Sequence, residues 1–362
     1  MTASGGPSSS SASAAPGPSR TQTKLAIPFP DDSRSGGLSI AGILAHAEPL
    51  DVPHFALPSS SSSSGAGASA DASQGSNTAA LKPLALILHG VLAHKDQIYH
   101  KKLVAALDMD SFRFDFRANH ETPGEWHMSN FHDDIKDMRC VISFLRRHLK
   151  YQVTVLIAHS RGALDSWTFL AEQERARRAS SSTLASSSPE AALQVEVPRF
   201  FVSLSSRWRM ERIKDRLPVY NEGFEKEGFY RWKARVAGKE VEARITPEMV
   251  TAFHQHPIPE YVRDAPVDTD VLLIQGTTDK VVPSSDIAYY ANALNLQEGR
   301  KPGSVQMHLV EHADHNFVGH YDEVVDAIVR WLALRTSSGK TADKVGAMSS
   351  RSTAGAANVG KL

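Results

Sequence analysis

The chain has 362 residues, and its 40 Lys and Arg equal its 40 Asp and Glu, so no global charge favours nucleic acid or an anionic membrane as a partner. The single cysteine, Cys140, excludes an intrachain disulfide and is typical of a reducing compartment. No apolar run approaches the ~18 residues of a membrane span. The N-terminus lacks the regions of a secretory signal, so we predict a cytoplasmic protein. The alternative is an organellar transit peptide, because the start of the chain is rich in Ser and Ala and free of acidic residues.

Low-complexity segments frame one predicted domain that spans 24–336. Residues 1–23 have almost nothing apolar to bury, and 337–362 are polar and rich in Gly, Ala and Ser, so we expect both ends to be disordered. Within the domain, 59–79 is predicted to be a low-complexity loop and 179–190 a Ser-rich insert.

Strands and helices alternate along this domain. Apolar runs predict strands at 81–88, 112–116, 152–158, 200–204, 271–274 and 305–310, with an early edge strand at 38–44. Helical spacing of apolar residues predicts helices at 101–107, at 131–145, after Ser160, at 284–294 and at the end of the domain. Apolar strands that alternate with helices indicate an α/β fold, a mostly parallel sheet with helices on both faces.

The pattern changes between 207 and 268. Tyr230 and Trp232 begin an alternation of apolar and polar residues that continues after a glycine turn, which predicts a β-hairpin. We interpret 207–268 as a small cap inserted between the strand that ends near Leu204 and the strand that starts near Val271.

Two groups of side chains in this cap leave their role open. Its aromatic residues would line an aromatic-acyl pocket or form the small core of the cap, and they are Phe224, Phe229, Tyr230 and Trp232. Its basic residues would bind an anion, but interleaved Glu211 and Asp215 favour a solvated, salt-bridged helix face. These basic residues are Arg207, Arg209, Arg212, Lys214 and Arg216.

The most informative motif joins a strand to a helix across Ser160. Ala158 and Gly162 are the small residues that such a tight turn needs two positions before and after the serine, which predicts a nucleophile elbow. The alternative is an ordinary serine at a helix N-cap. The pattern is A-x-S-x-G rather than G-x-S-x-G, a difference of one methyl group.

A serine nucleophile requires a base and an acid, and both residue types follow predicted strands downstream. Asp279 follows the strand at 271–274 and a glycine turn, and His315 follows the strand at 305–310. They complete the chain order Ser…Asp…His. His312 and His320 are the rival bases, and Asp314 is too close to the base in sequence to orient it.

An oxyanion needs hydrogen-bond donors arranged in advance. The backbone N–H groups of Val91, after the strand at 81–88, and of Arg161, at the start of the elbow helix, are the candidates by position. His89 and His159 are predicted to brace the turns.

These motifs together resemble the α/β-hydrolases, in particular the serine esterase branch with the cinnamoyl/feruloyl esterases and the serine-aminopeptidase-like hydrolases. The resemblance covers about 81–335 and rests on LALILHGVLAHKD, FRFDFRANHETPG, VTVLIAHSRGALD, SLSSRWRMERIKDRL, the cap segments, VLLIQGTTDKVVP and LVEHADHNF. It implies Ser160 as nucleophile, His315 as base, Asp279 as acid, the Val91 and Arg161 amides as oxyanion hole, and a cap that faces the substrate. Departures from the usual glycines are Ala158, Ala163, Ala118 and His120.

The resulting prediction is a serine hydrolase that cleaves a small-molecule carboxylic ester through an acyl-enzyme. The same residues would serve an amidase or aminopeptidase, a thioesterase or an acyltransferase, and a non-catalytic scaffold or receptor is the alternative of another class. We predict no cofactor and no metal, because the histidines lack metal-ligand spacing and no phosphate loop or dinucleotide motif is present. The sequence does not predict the oligomeric state.

Overall fold

The structure of the chain, a computed structural model, describes residues 18–29, 38–50, 80–182 and 197–352. The predicted loop at 59–79 and the outer parts of both predicted tails, 1–17 and 353–362, lie outside the described residues. Among the described residues, no helix combines the length and the apolar character that a transmembrane span requires.

Eight strands form the central sheet. They are β1 (Thr21–Pro28), β2 (Ser39–His46), β3 (Lys82–Leu88), β4 (Ser111–Phe114), β5 (Tyr151–His159), β6 (Phe200–Leu204), β9 (Asp270–Gly276) and β10 (Val305–Val310). Their spatial order is β1-β2-β4-β3-β5-β6-β9-β10. Strands β1 and β2 pair antiparallel with each other, and β2 with β4, whereas the pairs from β4 to β10 are parallel. The predicted α/β fold, a mostly parallel sheet, is confirmed.

Helices cover both faces of this sheet and bury it between two hydrophobic clusters. The main helices are α1 (His100–Ala106), α2 (Phe131–Leu149), α3 (Arg161–Ser182), α7 (Asp286–Asn295) and α8 (Tyr321–Ser352). On one face, α2, α3 and α7 contribute residues such as Ile135, Leu164 and Tyr290. On the other face, α1 and α8 contribute residues such as Leu103 and Ile328. The carboxyl ends of the parallel strands therefore share one edge, where α/β proteins bind ligands.

Two predictions about the first strands need correction. Strand β1 begins at Thr21, inside the stretch 1–23 that we expected to be disordered, because Leu25 and Ile27 are buried and the strand pairs along its length with β2. Strand β2 was predicted to be an edge strand, but β1 takes the edge position.

The helices extend further than expected at two places. Helix α3 reaches Ser182, into the predicted insert at 179–190, whose remainder lies outside the described residues. Helix α8 continues to Ser352, past the predicted end of the domain at residue 336. A helix that is already packed adds one backbone hydrogen bond for each residue it gains, so it can propagate through a polar sequence.

The chain between β6 and β9 builds the predicted cap. It contains the 3₁₀ helix Met210–Arg216, α4 (Leu217–Glu227), the antiparallel hairpin β7 (Tyr230–Val236) and β8 (Lys239–Ile245), α5 (Pro247–His254) and α6 (Ile258–Asp264). Thr246 caps α5, because its hydroxyl accepts the Met249 N–H at 3.3 Å.

A third hydrophobic cluster holds the cap together. Ile213, Tyr220, Ile245 and Val250 form its buried centre within the cap. Met128, which precedes α2 in the main body of the domain, is buried in the same cluster. Of the cap aromatics, Phe224, Tyr230 and Trp232 pack against this cluster, so these three side chains form the core of the cap.

Candidate active site

The turn between β5 and α3 holds Ser160 in a strained backbone conformation. Ser160 has φ of 52°, a left-handed value that costs a non-glycine residue about 1–2 kcal/mol. Its amide donates to the Leu204 carbonyl at 2.8 Å, which fixes the turn to the end of β6. A Cβ at Gly162 would lie 2.6 Å from the His89 carbonyl oxygen, so only glycine fits there without a shift. This is the geometry of a nucleophile elbow, and the buried Ala158 is accommodated in it.

His315 contacts both Ser160 and Asp279. Its Nε2 lies 3.0 Å from Ser160 Oγ, and its Nδ1 lies 2.8 Å from Asp279 Oδ2. With the ring proton on Nδ1, His315 donates to the carboxylate and accepts from the serine hydroxyl. The arrangement can therefore take the proton from Ser160 while Asp279 fixes the tautomer of the imidazole.

The carboxylate of Asp279 is fully buried and held by four donors. Oδ1 accepts the N–H groups of Val281 at 2.7 Å and Val282 at 2.8 Å. Oδ2 accepts Gln275 Nε2 at 2.8 Å, in addition to the His315 ring. Each buried oxygen is thus paired twice, which fixes the direction of the carboxylate.

The loops that carry Asp279 and His315 are tied together. A Cβ at Gly276 would lie 2.4 Å from the Ala313 carbonyl oxygen, so glycine lets the two loops approach each other. The Thr278 amide donates to the same carbonyl at 3.0 Å. The Ser205 hydroxyl, at the end of β6, donates to the His315 carbonyl at 3.0 Å. The ends of β6, β9 and β10 therefore position His315 together.

The neighbouring candidates point elsewhere. The His312 side chain is 81% exposed, and His320 Nδ1 lies 3.6 Å from a carboxylate oxygen of Glu323. Asp314 accepts backbone N–H groups of its own loop through Oδ1, both at 3.0 Å. The structure thus brings His315, and neither rival, to Ser160.

The two amides predicted for the oxyanion hole flank Ser160. Arg161 N is at the N-terminus of α3, where the partial positive charge of the helix favours an anion. Gly90, which precedes Val91, lies so close that its Cβ would meet Ser160 Cβ at 3.3 Å. No described residue accepts a hydrogen bond from the N–H of Val91 or Arg161. Their assignment to an oxyanion hole stays a prediction.

The side chain of Arg161 was not singled out by the sequence, because its partners are distant along the chain. Its Nε donates to Asp134 Oδ2 at 2.6 Å, Nη1 donates to the Met128 carbonyl, and the guanidinium lies over the Phe131 ring at 4.5 Å. Arg161 and Asp134 are both buried. Asp165 lies buried nearby, and burial and the charge of Asp134 raise its pKa well above the usual value. The ion pair holds the first residue of α3, and with it the Arg161 amide.

His89 and His159 are buried behind the site, as braces would be. His89 Nδ1 donates to the Gly90 carbonyl at 2.7 Å, and Nε2 accepts the Phe116 amide at 3.0 Å. Burial lowers the pKa of His89 to about 4, so its ring stays neutral. The ring of His159 lies 5.2 Å from that of His315, and burial, then the His315 charge, lower its pKa as well.

Asp115, His120 and Glu121 are, among the described residues, the one group with ligand atoms close enough for a metal ion. The buried ammonium of Lys95 lies 2.5 Å from a carboxylate oxygen of both Asp115 and Glu121. Asp115 Oδ1 also accepts the Lys95 amide at 2.7 Å. Lys95 thus pairs with both carboxylates, and Lys24 Nζ lies 3.2 Å from Glu121 Oε1, so the group forms an ion-pair network at the loop after Val91.

Comparison with known proteins supplies the family. Residues 79–320, well over half of the chain, match the family model for serine aminopeptidase, S33. The chain belongs to this family of α/β-hydrolases.

Three similar proteins share low sequence identity with this chain. The uncharacterized protein YDL057W of Saccharomyces cerevisiae is 24% identical over 253 residues, which cover 65% of this chain and 69% of that protein. Est1E from Butyrivibrio proteoclasticus, with bound ferulic acid, superposes with a TM-score of 0.53 at 12% identity, covering 83% of this chain and 97% of Est1E. The acylaminoacyl peptidase of Pyrococcus horikoshii gives 0.54 at 9% identity, covering 87% of this chain and 42% of the peptidase. At these identities the structures share the fold.

A cleft lies beside the elbow of this hydrolase, and its lining residues all belong to the main body of the domain. It is lined by both oxyanion candidates and by polar and aromatic side chains that include His89, Trp126, Asn130 and Asp134. Trp126 also meets the cap, because its ring lies edge-to-face to Trp232 at 6.0 Å. Trp126 therefore links the lining of the cleft to the cap.

Proposed function

We propose that this hydrolase cleaves a small-molecule carboxylic ester through an acyl-enzyme on Ser160. The observation that carries the proposal is the continuous contact from Ser160 Oγ to His315 at 3.0 Å and from His315 to Asp279 at 2.8 Å. A serine hydroxyl is a weak nucleophile at neutral pH, and this contact supplies the base and the orienting acid that it needs.

The proposed reaction has two halves. Ser160 Oγ attacks the ester carbonyl while His315 Nε2 takes its proton, and the carbonyl oxygen becomes an anion between the Val91 and Arg161 amides. His315 then gives the proton to the leaving alcohol, and the carbonyl re-forms as the acyl-enzyme. Water enters through the same base, releases the acid and regenerates Ser160. Asp279 stabilises the imidazolium in both halves.

An amide is the second candidate substrate, favoured by the family's description as a serine aminopeptidase. The catalytic groups serve both reactions, because the same oxyanion forms on an ester and on an amide. A thioesterase or acyltransferase would also use them. The cleft between Trp126 and the elbow selects among these classes, and a substrate panel tests that selection.

The first experiment follows hydrolysis of p-nitrophenyl esters of rising chain length, methyl ferulate and an aminoacyl anilide by wild type and Ser160→Ala. We expect ester turnover that disappears in Ser160→Ala, and labelling of wild-type Ser160 by a fluorophosphonate probe. Turnover of the anilide in preference to the esters would assign an amidase. Two inert proteins, with no labelling of wild type, would contradict any catalytic role and support a scaffold.

The base is tested by a matched pair of histidine variants. His315→Gln removes the ring that contacts Ser160, and we expect a loss of about 10³-fold or more in kcat, the size of effect seen when a member of such a triad is removed. His312→Gln changes an exposed ring three residues away and should keep wild-type activity. The opposite result would assign the base to His312.

A further inference from the structure

Arg207 follows β6 and lies half-buried beside the loop of the proposed acid. Its carbonyl accepts the Tyr290 hydroxyl at 2.7 Å, so its backbone is fixed. Its Nη2 donates to the Val281 carbonyl at 2.6 Å. The Val281 amide in turn donates to Asp279. The guanidinium is therefore held at the edge of the sheet that carries Ser160, on the side of the acid.

The charge of Arg207 has no acidic partner. The neighbouring arginines are paired: Arg209 with Asp286 at 2.7 Å, and Arg212 with Asp215 at 2.8 Å. Among the described residues, no carboxylate lies within 4.0 Å of Arg207 or of the exposed Arg216. The expected salt-bridged face thus covers part of the basic segment and leaves out Arg207, Arg216 and the exposed Lys214.

The surroundings of Arg207 disfavour its charge. Burial lowers its pKa, and the charges of Arg216 and Arg212 lower it further, against the opposing effect of Asp286 and Asp279. A partly desolvated cation without a counter-ion lowers stability unless an anion compensates it. A neutral amide could also donate to the Val281 carbonyl, so that hydrogen bond alone does not require a charge. A positive charge held here without a counter-ion therefore points to a ligand.

We propose that Arg207, assisted by Arg216, is an anion subsite at the acid side of the catalytic centre, and that the substrate carries a carboxylate or phosphate there. This inference rests on the proposed function and narrows its substrate class to anionic esters. A guanidinium fits both anions, because its donors match pairs of carboxylate or phosphate oxygens.

The test compares each anionic ester with a neutral ester of the same shape. On the acyl side, p-nitrophenyl hydrogen adipate is compared with the ester in which an isopropyl group replaces the carboxylate. On the alcohol side, acetoxyacetate is compared with isobutyl acetate. We expect wild type to prefer the anionic member of at least one pair, as the ratio of kcat/KM, and to lose this preference at high salt.

The variants separate anion binding from support of the acid loop. Arg207→Met should lower the ratio of anionic to neutral kcat/KM by about 10- to 100-fold, the value of a hydrogen bond to a charged group. Arg207→Lys should restore part of the ratio. Arg216→Gln, which holds no part of the acid loop, should lower it by a smaller factor. Lys214→Gln removes an exposed cation of the same 3₁₀ helix and should leave both rates unchanged.

Three results would overturn the inference. The first is a wild type that prefers neither anionic ester. The second is an Arg207→Met variant in which kcat/KM falls equally for the anionic and the neutral ester, which would mean that Arg207 only supports the loop. If none of these four esters and no ester of the first panel is turned over, the proposed function fails, and calorimetric titration with adipate and with inorganic phosphate tests the anion site independently. Saturable binding of adipate or phosphate to wild type that Arg207→Met abolishes would support the anion site. Which of the two anions binds would show whether the site takes a carboxylate or a phosphate. The third result is equal binding by wild type and Arg207→Met, or no binding by wild type, which would refute the anion site.

Discussion

Replacing Asp279 by asparagine tests the proposed acid with the least change of shape. The amide can take either of two orientations in the buried site. With its nitrogen in place of Oδ1, it would face the N–H groups of Val281 and Val282, and both donors would lose their acceptor. With its nitrogen in place of Oδ2, it would face Gln275 and His315.

The second orientation has the lower free energy. Gln275 Nε2 already lies 3.3 Å from the Val282 carbonyl and can donate to it instead, whereas the backbone amides have no such alternative in the described contacts. His315 must then accept at Nδ1 and carry its proton on Nε2, which faces the Ser160 hydroxyl and cannot take its proton. We expect kcat to fall by about 10³- to 10⁴-fold, or about 4–5.5 kcal/mol of transition-state stabilisation.

Asp314→Asn is the matched control, because Asp314 is in the same loop as the base but accepts only backbone N–H groups of that loop. Steady-state hydrolysis of a p-nitrophenyl ester and the rate of fluorophosphonate labelling report on both variants. Asp314→Asn should stay within a few-fold of wild type. An Asp279→Asn variant with more than about a tenth of wild-type kcat would refute this reasoning, and a simultaneous loss in Asp314→Asn would assign the acid to Asp314.

Three further predictions concern the frame of the site. Gly162→Ala should lower the free energy of unfolding in urea by about 1–3 kcal/mol and slow fluorophosphonate labelling, because the new Cβ meets the His89 carbonyl at 2.6 Å; wild-type stability would contradict the close fit. Ala118→Gly should raise stability by up to about 1 kcal/mol, since φ at Ala118 is 57° and glycine removes the strain at some cost in entropy; a lower midpoint in urea would be the opposite result. Acid should destabilise the protein, because burial lowers the pKa of His89 to about 4 from its ordinary value of 6.5. Between these pH values only the unfolded chain binds the proton, so the free energy of unfolding falls by about 1.4 kcal/mol per pH unit from pH 6.5 down to about pH 4. His89→Gln should lower the slope of this free energy against pH, measured by urea unfolding, by one proton.

The fold could be predicted because each central strand is a short apolar run and each is followed by a helix. The strand ends also narrowed the search for the site to a few residues, since parallel strands deliver those residues to one edge. Ser160, Asp279 and His315 were named on that ground, and they lie within hydrogen-bond distance of one another. Their catalytic role stays a prediction until the variants are measured.

The features that the sequence did not indicate depend on contacts between distant parts of the chain. Strand β1 contains only two fully buried apolar residues, Leu25 and Ile27, among polar neighbours. Its remaining stabilisation comes from backbone pairing with β2. The ion pair of Arg161 with Asp134 joins residues 27 positions apart, on the first turns of two helices. Local patterns do not encode such pairs, because each partner alone looks like an ordinary surface charge.

Trp126 and Met128 complete a hydrophobic core whose other members belong to the cap, and this limits how the cap can be exchanged. A chimaera that receives a foreign insert at 207–268 would leave Trp126 without the Trp232 ring it packs against. A successful graft must therefore carry the 126–128 segment with the insert. In natural relatives, substitutions in these two stretches are expected to occur together, so a change of the cap should come with a change in the 126–128 segment.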